Sequence, residues 1–199
     1  MGGSPVGDGT LSLDGFNASA RALEKRWKEI EVDESLPDWT WKPCSNLGVP
    51  SEVEGYLALE GVYRDCGGSQ VQSSSGNIHV YDFHVVYSHS YKAPVLYFQG
   101  HRSDGQLLTL DEIKQDLPSD SLKVLSESKW TFITREEHPQ LSRPWFTLHP
   151  CATSDWMKLL LEESKVAYEE QLLRYLPAWL SVVGQAVGLK IPLELHCRP

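Results

Sequence analysis

The residues with the clearest chemical potential stand together in Trp145-Phe146-Thr147-Leu148-His149-Pro150-Cys151-Ala152-Thr153-Ser154-Asp155. An apolar, strand-like run stops at a proline, and a cysteine comes next. Thr153, Ser154 and Asp155 then supply helix-capping chemistry. That order puts a thiol at the end of a strand and just ahead of a helix. Such a short connection holds the sulfur still while a reactant can reach it. Residues two apart on a strand share a face, so His149 and Cys151 point the same way if the strand persists that far. An imidazole beside a thiol draws its pKa down from about 8.5 and favours the reactive thiolate. The competing reading is simple packing, because cysteine often serves as a small buried hydrophobe. Cys44 and Cys66 lie among Gly, Ser, Asn and Pro, and Cys197 is two residues from the end. None of these three follows a strand and precedes a helix.

Other chemistries fit less well. A papain-like protease carries its cysteine early and a histidine far downstream. Here Cys151 is late and only His196 follows it. His79, His84, His89, His101 and His138 precede the cysteine, but no caspase-like Gln-Ala-Cys occurs. His79, His84 and His89 are five apart and alternate faces along a strand, which suits solvated side chains better than metal ligands. Glu136-Glu137-His138 lacks the second histidine four residues on that a helical zinc site needs. Gly67-Gly68-Ser69 has no following lysine to cradle phosphate. No cofactor or metal is therefore expected. The stripe Tyr81, Phe83, Tyr87 reads as core.

With 199 residues, 41% of them hydrophobic and seven tryptophans, the chain can bury one good core. Net charge −9 argues against nucleic acid as a partner. Four cysteines without close pairs show neither a disulfide framework nor zinc spacing. The first residues lack a basic segment leading into an apolar one, so no secretory signal is expected. Leu176–Leu189 is too short to span a bilayer and contains Pro177 and two glycines, so no integral membrane segment is expected. A reducing, cytoplasmic location follows as the expectation.

The elements that must position the thiol are legible in outline. Residues 1–10 are Gly-rich and expected to be flexible, with residues 11–199 as a single domain. Phe16, Ala20, Leu23, Trp27 and Ile30 make one helical stripe. Strand signals follow at Trp39–Trp41, Glu54–Arg64, Ile78–Tyr87 and Val95–Phe98, with a Gly/Ser-rich loop expected to be disordered over Cys66–Asn77. The short connections predict an antiparallel meander. Thr109-Leu110-Asp111-Glu112 is a capping box for a short helix to Leu117, stopped by Pro118. Trp130–Thr134 and Trp145–His149 read as further strands. A helix from Thr153 shows Trp156, Leu159, Leu160 and Val166 on one side and Glu162, Glu163 and Lys165 on the other. A last helix is expected to begin near Pro177 and close at Gly188. The layout is α+β: an antiparallel meander flanked by an N-terminal helix and C-terminal helices, as in ubiquitin-conjugating enzymes.

Three segments resemble the autophagy conjugating enzymes. They are Tyr87-Ser88-His89-Ser90-Tyr91-Lys92-Ala93-Pro94-Val95-Leu96-Tyr97-Phe98, Asp104-Gly105-Gln106-Leu107-Leu108-Thr109-Leu110, and Ile133–Pro139 leading to Phe146–Cys151. Together they resemble the autophagy-related protein ten family, the conjugating enzymes of the twelve–five system. The lipid-coupling enzymes, autophagy-related protein three, share the His-Pro-Cys ending but carry a long acidic insertion that this chain lacks. The resemblance implies that Cys151 carries a glycyl thioester. The activating enzyme, protein seven, would pass modifier protein twelve to this sulfur, and a lysine of target protein five would receive it. The alternatives are the lipid-coupling reaction, or a non-catalytic binding module in which Cys151 only packs.

Amine attack on a thioester creates a tetrahedral oxyanion that needs hydrogen-bond donors. Ubiquitin enzymes are expected to supply an Asn from a His-Pro-Asn motif about ten residues before the cysteine. Here His138-Pro139 is followed by Gln140, so the residue type departs from that pattern. His149, Tyr87 and Tyr91 are the candidate supporting donors, with Gln140 as a further possibility.

Overall fold

The structure is a computed structural model and describes residues 8–30, 36–44, 55–65, 78–127, 132–162 and 167–195. Helix α1 (Leu13–Glu29) starts where the Ser12 side chain accepts the Gly15 N–H. It buries Phe16, Ala20, Leu23 and Trp27, the stripe that the sequence spacing predicts.

Six strands follow: β1 (Thr40–Pro43), β2 (Gly55–Asp65), β3 (Ile78–Ser88), β4 (Ala93–His101), β5 (Ile133–Glu137) and β6 (Pro144–Leu148). All pairings are antiparallel, in the order β1-β2-β3-β4-β6-β5. The expected meander holds through β4 and then changes. β6, not β5, pairs with β4, and β5 takes the outer edge. Side-chain chemistry explains the exchange. β6 buries Trp145 and Leu148, whereas β5 presents the exposed Arg135-Glu136-Glu137. Charges of this kind suit an edge, because they discourage another chain from pairing with it.

The helices lie on one face of the sheet. Helix α2 (Leu110–Asp116) has the capping box read from the sequence, the Thr109 hydroxyl accepting from the Glu112 N–H. Helix α3 (Ser119–Glu127) was not expected. Pro118 ends α2, yet its carbonyl accepts the Leu122 N–H and so opens the next helix. Helix α4 (Thr153–Glu162) buries Met157 and Leu161 and leaves Leu159 and Leu160 exposed, so its inward face is rotated from the expected one. Helix α5 (Tyr168–Ala186) starts well before Pro177, which lies inside it. Proline offers no N–H to the helical ladder and costs about 3 kcal/mol in an exposed interior. Here Tyr175, Leu176, Trp179 and Leu180, all buried, dock the helix around the proline and offset that cost. Gly188 closes the helix in the left-handed region, φ 65°, as expected.

Two cores result. Leu57, Leu59, Phe83, Val85, Leu96 and Phe98 pack toward α1 and α5. On the opposite sheet face Tyr56, Ala58, Val86, Val95, Tyr97 and Trp145 form a smaller cluster. The expected loop over Cys66–Asn77 and residues 1–7 of the expected flexible terminus lie outside the described residues. Asp8–Thr10 do not hang loose: the Gly9 carbonyl accepts the Tyr175 hydroxyl at 2.8 Å.

Candidate active site

β6 ends at Leu148, and Pro150–Ala152 form a single 3-10 turn that runs directly into α4. The strand therefore does not persist to Cys151, and the shared-face expectation for His149 and Cys151 is replaced by a tighter relation. His149 is the cap of the turn, and its Nδ1 accepts the Cys151 backbone N–H at 3.2 Å. The His149 N–H donates to the Phe132 carbonyl at 3.1 Å, tying the turn to the residue before β5. Cys151 is half-buried and not part of a disulfide. It stands just ahead of the first turn of α4.

The β3–β4 turn supplies the second group. Ala93 opens β4 opposite Ser88, and β4 runs antiparallel to β6, so this turn lies at the cysteine end of the sheet. Tyr91, in the turn, sets its hydroxyl 3.2 Å from His149 Nε2, with the two rings edge to face at 5.5 Å. These contacts specify the proton positions. Nδ1 accepts a backbone N–H and carries no proton, so the neutral ring holds its proton on Nε2. Nε2–H donates to the Tyr91 oxygen, and the hydroxyl proton of Tyr91 points elsewhere. His149 is thus a brace for the Cys151 backbone and for Tyr91. Both ring nitrogens are engaged in these two contacts.

Tyr87 is set apart from these residues. It is buried on the helix side, and its hydroxyl donates to the Leu11 carbonyl at 2.8 Å. Burial raises the pKa of this phenol. Its task is to hold the segment that precedes α1. Gln140 is separated by geometry as well. It lies in the β5–β6 turn, at the opposite end of the hairpin from Cys151. Leu148 to Pro144 alone spans roughly 13 Å at ~3.3 Å per residue. The His-Pro-Gln of this chain therefore cannot serve as the donor motif beside the thiol.

The strand histidines also depart from expectation. His84 is 1% exposed rather than solvated, and its Nδ1 lies 3.0 Å from His138 Nε2. His79 is held 2.6 Å from Asp116, and His89 packs edge-on against Tyr87. Among the described residues no group of three or more His, Cys, Asp or Glu is arranged to hold a metal ion.

Two features of the site have no local signature in the sequence. Phe132 stacks on His149 with centroids 4.8 Å apart and planes at 18°. The second is the segment from Gly9 to Leu11, which passes close to the cysteine turn. The Leu11 N–H donates to the Lys92 carbonyl at 2.7 Å, and Gly9, at φ 78°, lies against the Ser154 backbone. A Gly-rich terminus gives no local sign of such a role. Beside the turn, an apolar cavity of about 280 Å³ opens between Leu148, Pro150, Trp156 and Trp179.

The family described as "Autophagocytosis associated protein, active-site domain" matches residues 15–194. The Arabidopsis thaliana protein named Ubiquitin-like-conjugating enzyme ATG10 is 46% identical, over 96% of each chain. The Homo sapiens protein of the same name is 37% identical over 75% of this chain and 69% of its own length. Autophagy-related protein 3 of Candida glabrata is 33% identical over 46% of this chain and 28% of its own. A solved structure described as "Crystal structure of Autophagic E2, Atg10" matches with a TM-score of 0.52 at 16% identity, covering 91% of this chain and 99% of that one. At that identity the likeness speaks for the fold alone.

Proposed function

Since the chain belongs to the ATG10 family of ubiquitin-like conjugating enzymes of autophagy, we propose that Cys151 accepts modifier protein twelve from activating enzyme seven and transfers it to a lysine of protein five. In the first step the Cys151 thiolate attacks the thioester carbonyl on the activating enzyme and expels that enzyme's thiolate. In the second, the lysine amine attacks the new thioester. The oxyanion forms and collapses to an isopeptide, the Cys151 thiolate leaves, and the amine gives its extra proton to solvent.

The observation that carries this reading is the cysteine turn itself. Cys151 stands on a rigid connection, its backbone N–H held by His149 and its thiol at the head of α4. The protein-five branch is favoured over the lipid-coupling branch because the relatives of the second kind match less than half of this chain. Of the three candidate donors, Tyr91 suits the oxyanion best: it is 42% exposed and its hydroxyl proton is turned away from His149. No helix among the described residues is long and apolar enough to cross a membrane.

Incubation with activating enzyme, modifier and ATP, followed by non-reducing electrophoresis, tests the assignment. Wild type should form an adduct that reducing agent removes. Cys151→Ala should form none, and Cys151→Ser a more stable oxyester, since an alkoxide leaves less readily than a thiolate. A reducible adduct on Cys151→Ala would sink the proposal. In single-turnover discharge onto protein five, Tyr91→Phe should slow transfer by about 10²-fold, the usual cost of one oxyanion donor. Tyr87→Phe should transfer at the wild-type rate.

A further inference from the structure

Phe132 is a large apolar side chain that belongs to neither core and remains 43% exposed. Its position is nevertheless tightly specified. The ring lies nearly parallel to the His149 imidazole at 4.8 Å, and its carbonyl accepts the His149 N–H. Tyr91 meets the same imidazole edge-on. A half-exposed phenylalanine gains little from burial, so its contact with one histidine face stands out.

The need for such a contact lies in the torsion of the imidazole. The terminal χ2 of histidine is broad and roughly two-fold, so the ring plane is weakly fixed by the side chain itself. Two directional bonds depend on that plane, Cys151 N–H to Nδ1 and Nε2–H to Tyr91 Oη. Rotation of the ring plane about χ2 swings both nitrogens out of line with their partners and weakens both bonds. The Tyr91 hydroxyl is then no longer held with its proton outward. A flat ring stacked on the imidazole opposes that rotation, which an aliphatic side chain of equal bulk does less well.

We propose that Phe132 is a positioning residue for the transfer step: it fixes the plane of His149, and through it the Cys151 backbone and the outward proton of Tyr91. The inference rests on the thioester reading of Cys151. It assigns Phe132 no contact with the reacting atoms.

The test compares wild type with Phe132→Ala, Phe132→Leu and Phe132→Tyr, all as full chains. The first measurement is single-turnover discharge of preloaded thioester across a range of protein-five concentrations. Phe132→Ala and Phe132→Leu should lower the maximal discharge rate by about tenfold, within the range reported for small misplacements of a catalytic geometry. The half-saturating acceptor concentration should stay unchanged, and Phe132→Tyr should recover the rate. The second measurement is nitrogen-15 NMR of the His149 ring in the uncharged protein, which requires no modifier. Wild type should show the single tautomer protonated at Nε2, and Phe132→Ala a mixture. A loss confined to the half-saturating concentration would make Phe132 a docking contact and overturn the proposal. So would a Phe132→Leu rate equal to wild type, or an unchanged tautomer in Phe132→Ala. If wild type itself forms no reducible adduct, the thioester reading has failed, while the NMR comparison still decides whether Phe132 orients the ring.

Discussion

The β5–β6 hairpin carries a His-Pro pair beyond each end, and the two begin from the same local geometry. His138 Nδ1 accepts the Gln140 N–H at 3.2 Å, and His149 Nδ1 accepts the Cys151 N–H at 3.2 Å. In each case proline stands between, unable to donate, so the ring reaches the N–H of the residue after it. The Nε2 sides then diverge. His138 is fully buried, and its Nε2–H meets His84, whose own Nε2 lies 3.2 Å from Glu60, which Lys42 holds at 3.0 Å. His149 instead meets an exposed tyrosine beside a thiol. A local motif of three residues fixes one hydrogen bond, and the tertiary setting of the other nitrogen decides whether the histidine supports a core or a reaction.

The sharpest way to break this comparison is to delete each ring in turn. His138→Ala empties a site among Tyr56, Tyr97 and Trp145 and strands the buried His84 nitrogen. Cavity and unpaired polar group together should cost about 3–4 kcal/mol in urea unfolding. Thioester formation by the folded fraction should stay near wild type. His149→Ala should cost under about 1 kcal/mol, as expected of a residue that is only part-buried, yet slow transfer. If His149→Ala destabilises as much as His138→Ala, the division of roles is wrong.

Acid should separate the two ends next. Burial, then the neighbouring charges of His84 and Arg143, push the His138 pKa down to about 3. Burial also lowers that of His84, against the opposing pull of Glu60. An unfolded histidine titrates near 6.5. Between these values the unfolded chain binds protons that the folded one refuses, so the stabilisation is whole above about pH 6.5 and declines as the pH falls toward 3. Urea unfolding at pH 7 and pH 5 should show a drop for wild type that shrinks in the His84→Gln/His138→Gln double variant. An unchanged pH dependence in that variant would assign the acid sensitivity elsewhere.

A glycine sharpens the other end. A Cβ added at Gly9 would stand 1.8 Å from the Ser154 carbonyl oxygen, and the residue sits at φ 78°. Gly9→Ala should cost about 1–3 kcal/mol through strain and forced displacement. Because Ser154 lies in the first turn of α4, this variant should also perturb Cys151 amide exchange. Equal protection in wild type and variant would detach the N-terminal segment from the cysteine turn.

These outcomes depend on features of unequal legibility. The thiol at the strand–helix junction was readable because Leu148, Pro150 and the polar residues after Cys151 act locally. So were the α1 stripe and the Thr109 capping box. Register across the sheet was not. Nothing near Ile133 states that β6 will pair with β4, since that choice compares the burial of two whole strands. Pro177 misled because tertiary packing overrode propensity. Tyr87 and Tyr91 are four residues apart in similar surroundings, and only the path of Leu11 shows which hydroxyl is already engaged. Phe132 was unreadable for the same reason, its partner being seventeen positions on.

The smallest expected effect contrasts the two described cysteines. Cys44 packs beside the second cluster, on the side of the sheet away from the helices, and burial raises the pKa of its thiol. It directly follows β1. Cys44→Ala removes one sulfur from a half-buried position, so its cost should be about 1 kcal/mol or less. Charging should be unchanged. Brief treatment with a limiting thiol-alkylating reagent at pH 7 should label Cys151 well before Cys44, read by peptide mass spectrometry. The order matters because both thiols are similarly part-buried, so exposure alone predicts similar rates. Faster labelling at Cys151 isolates the contribution of the turn and the α4 terminus. Faster labelling at Cys44 would mean that the turn braced by His149 confers no reactivity, and that the two ends of the hairpin differ in packing alone.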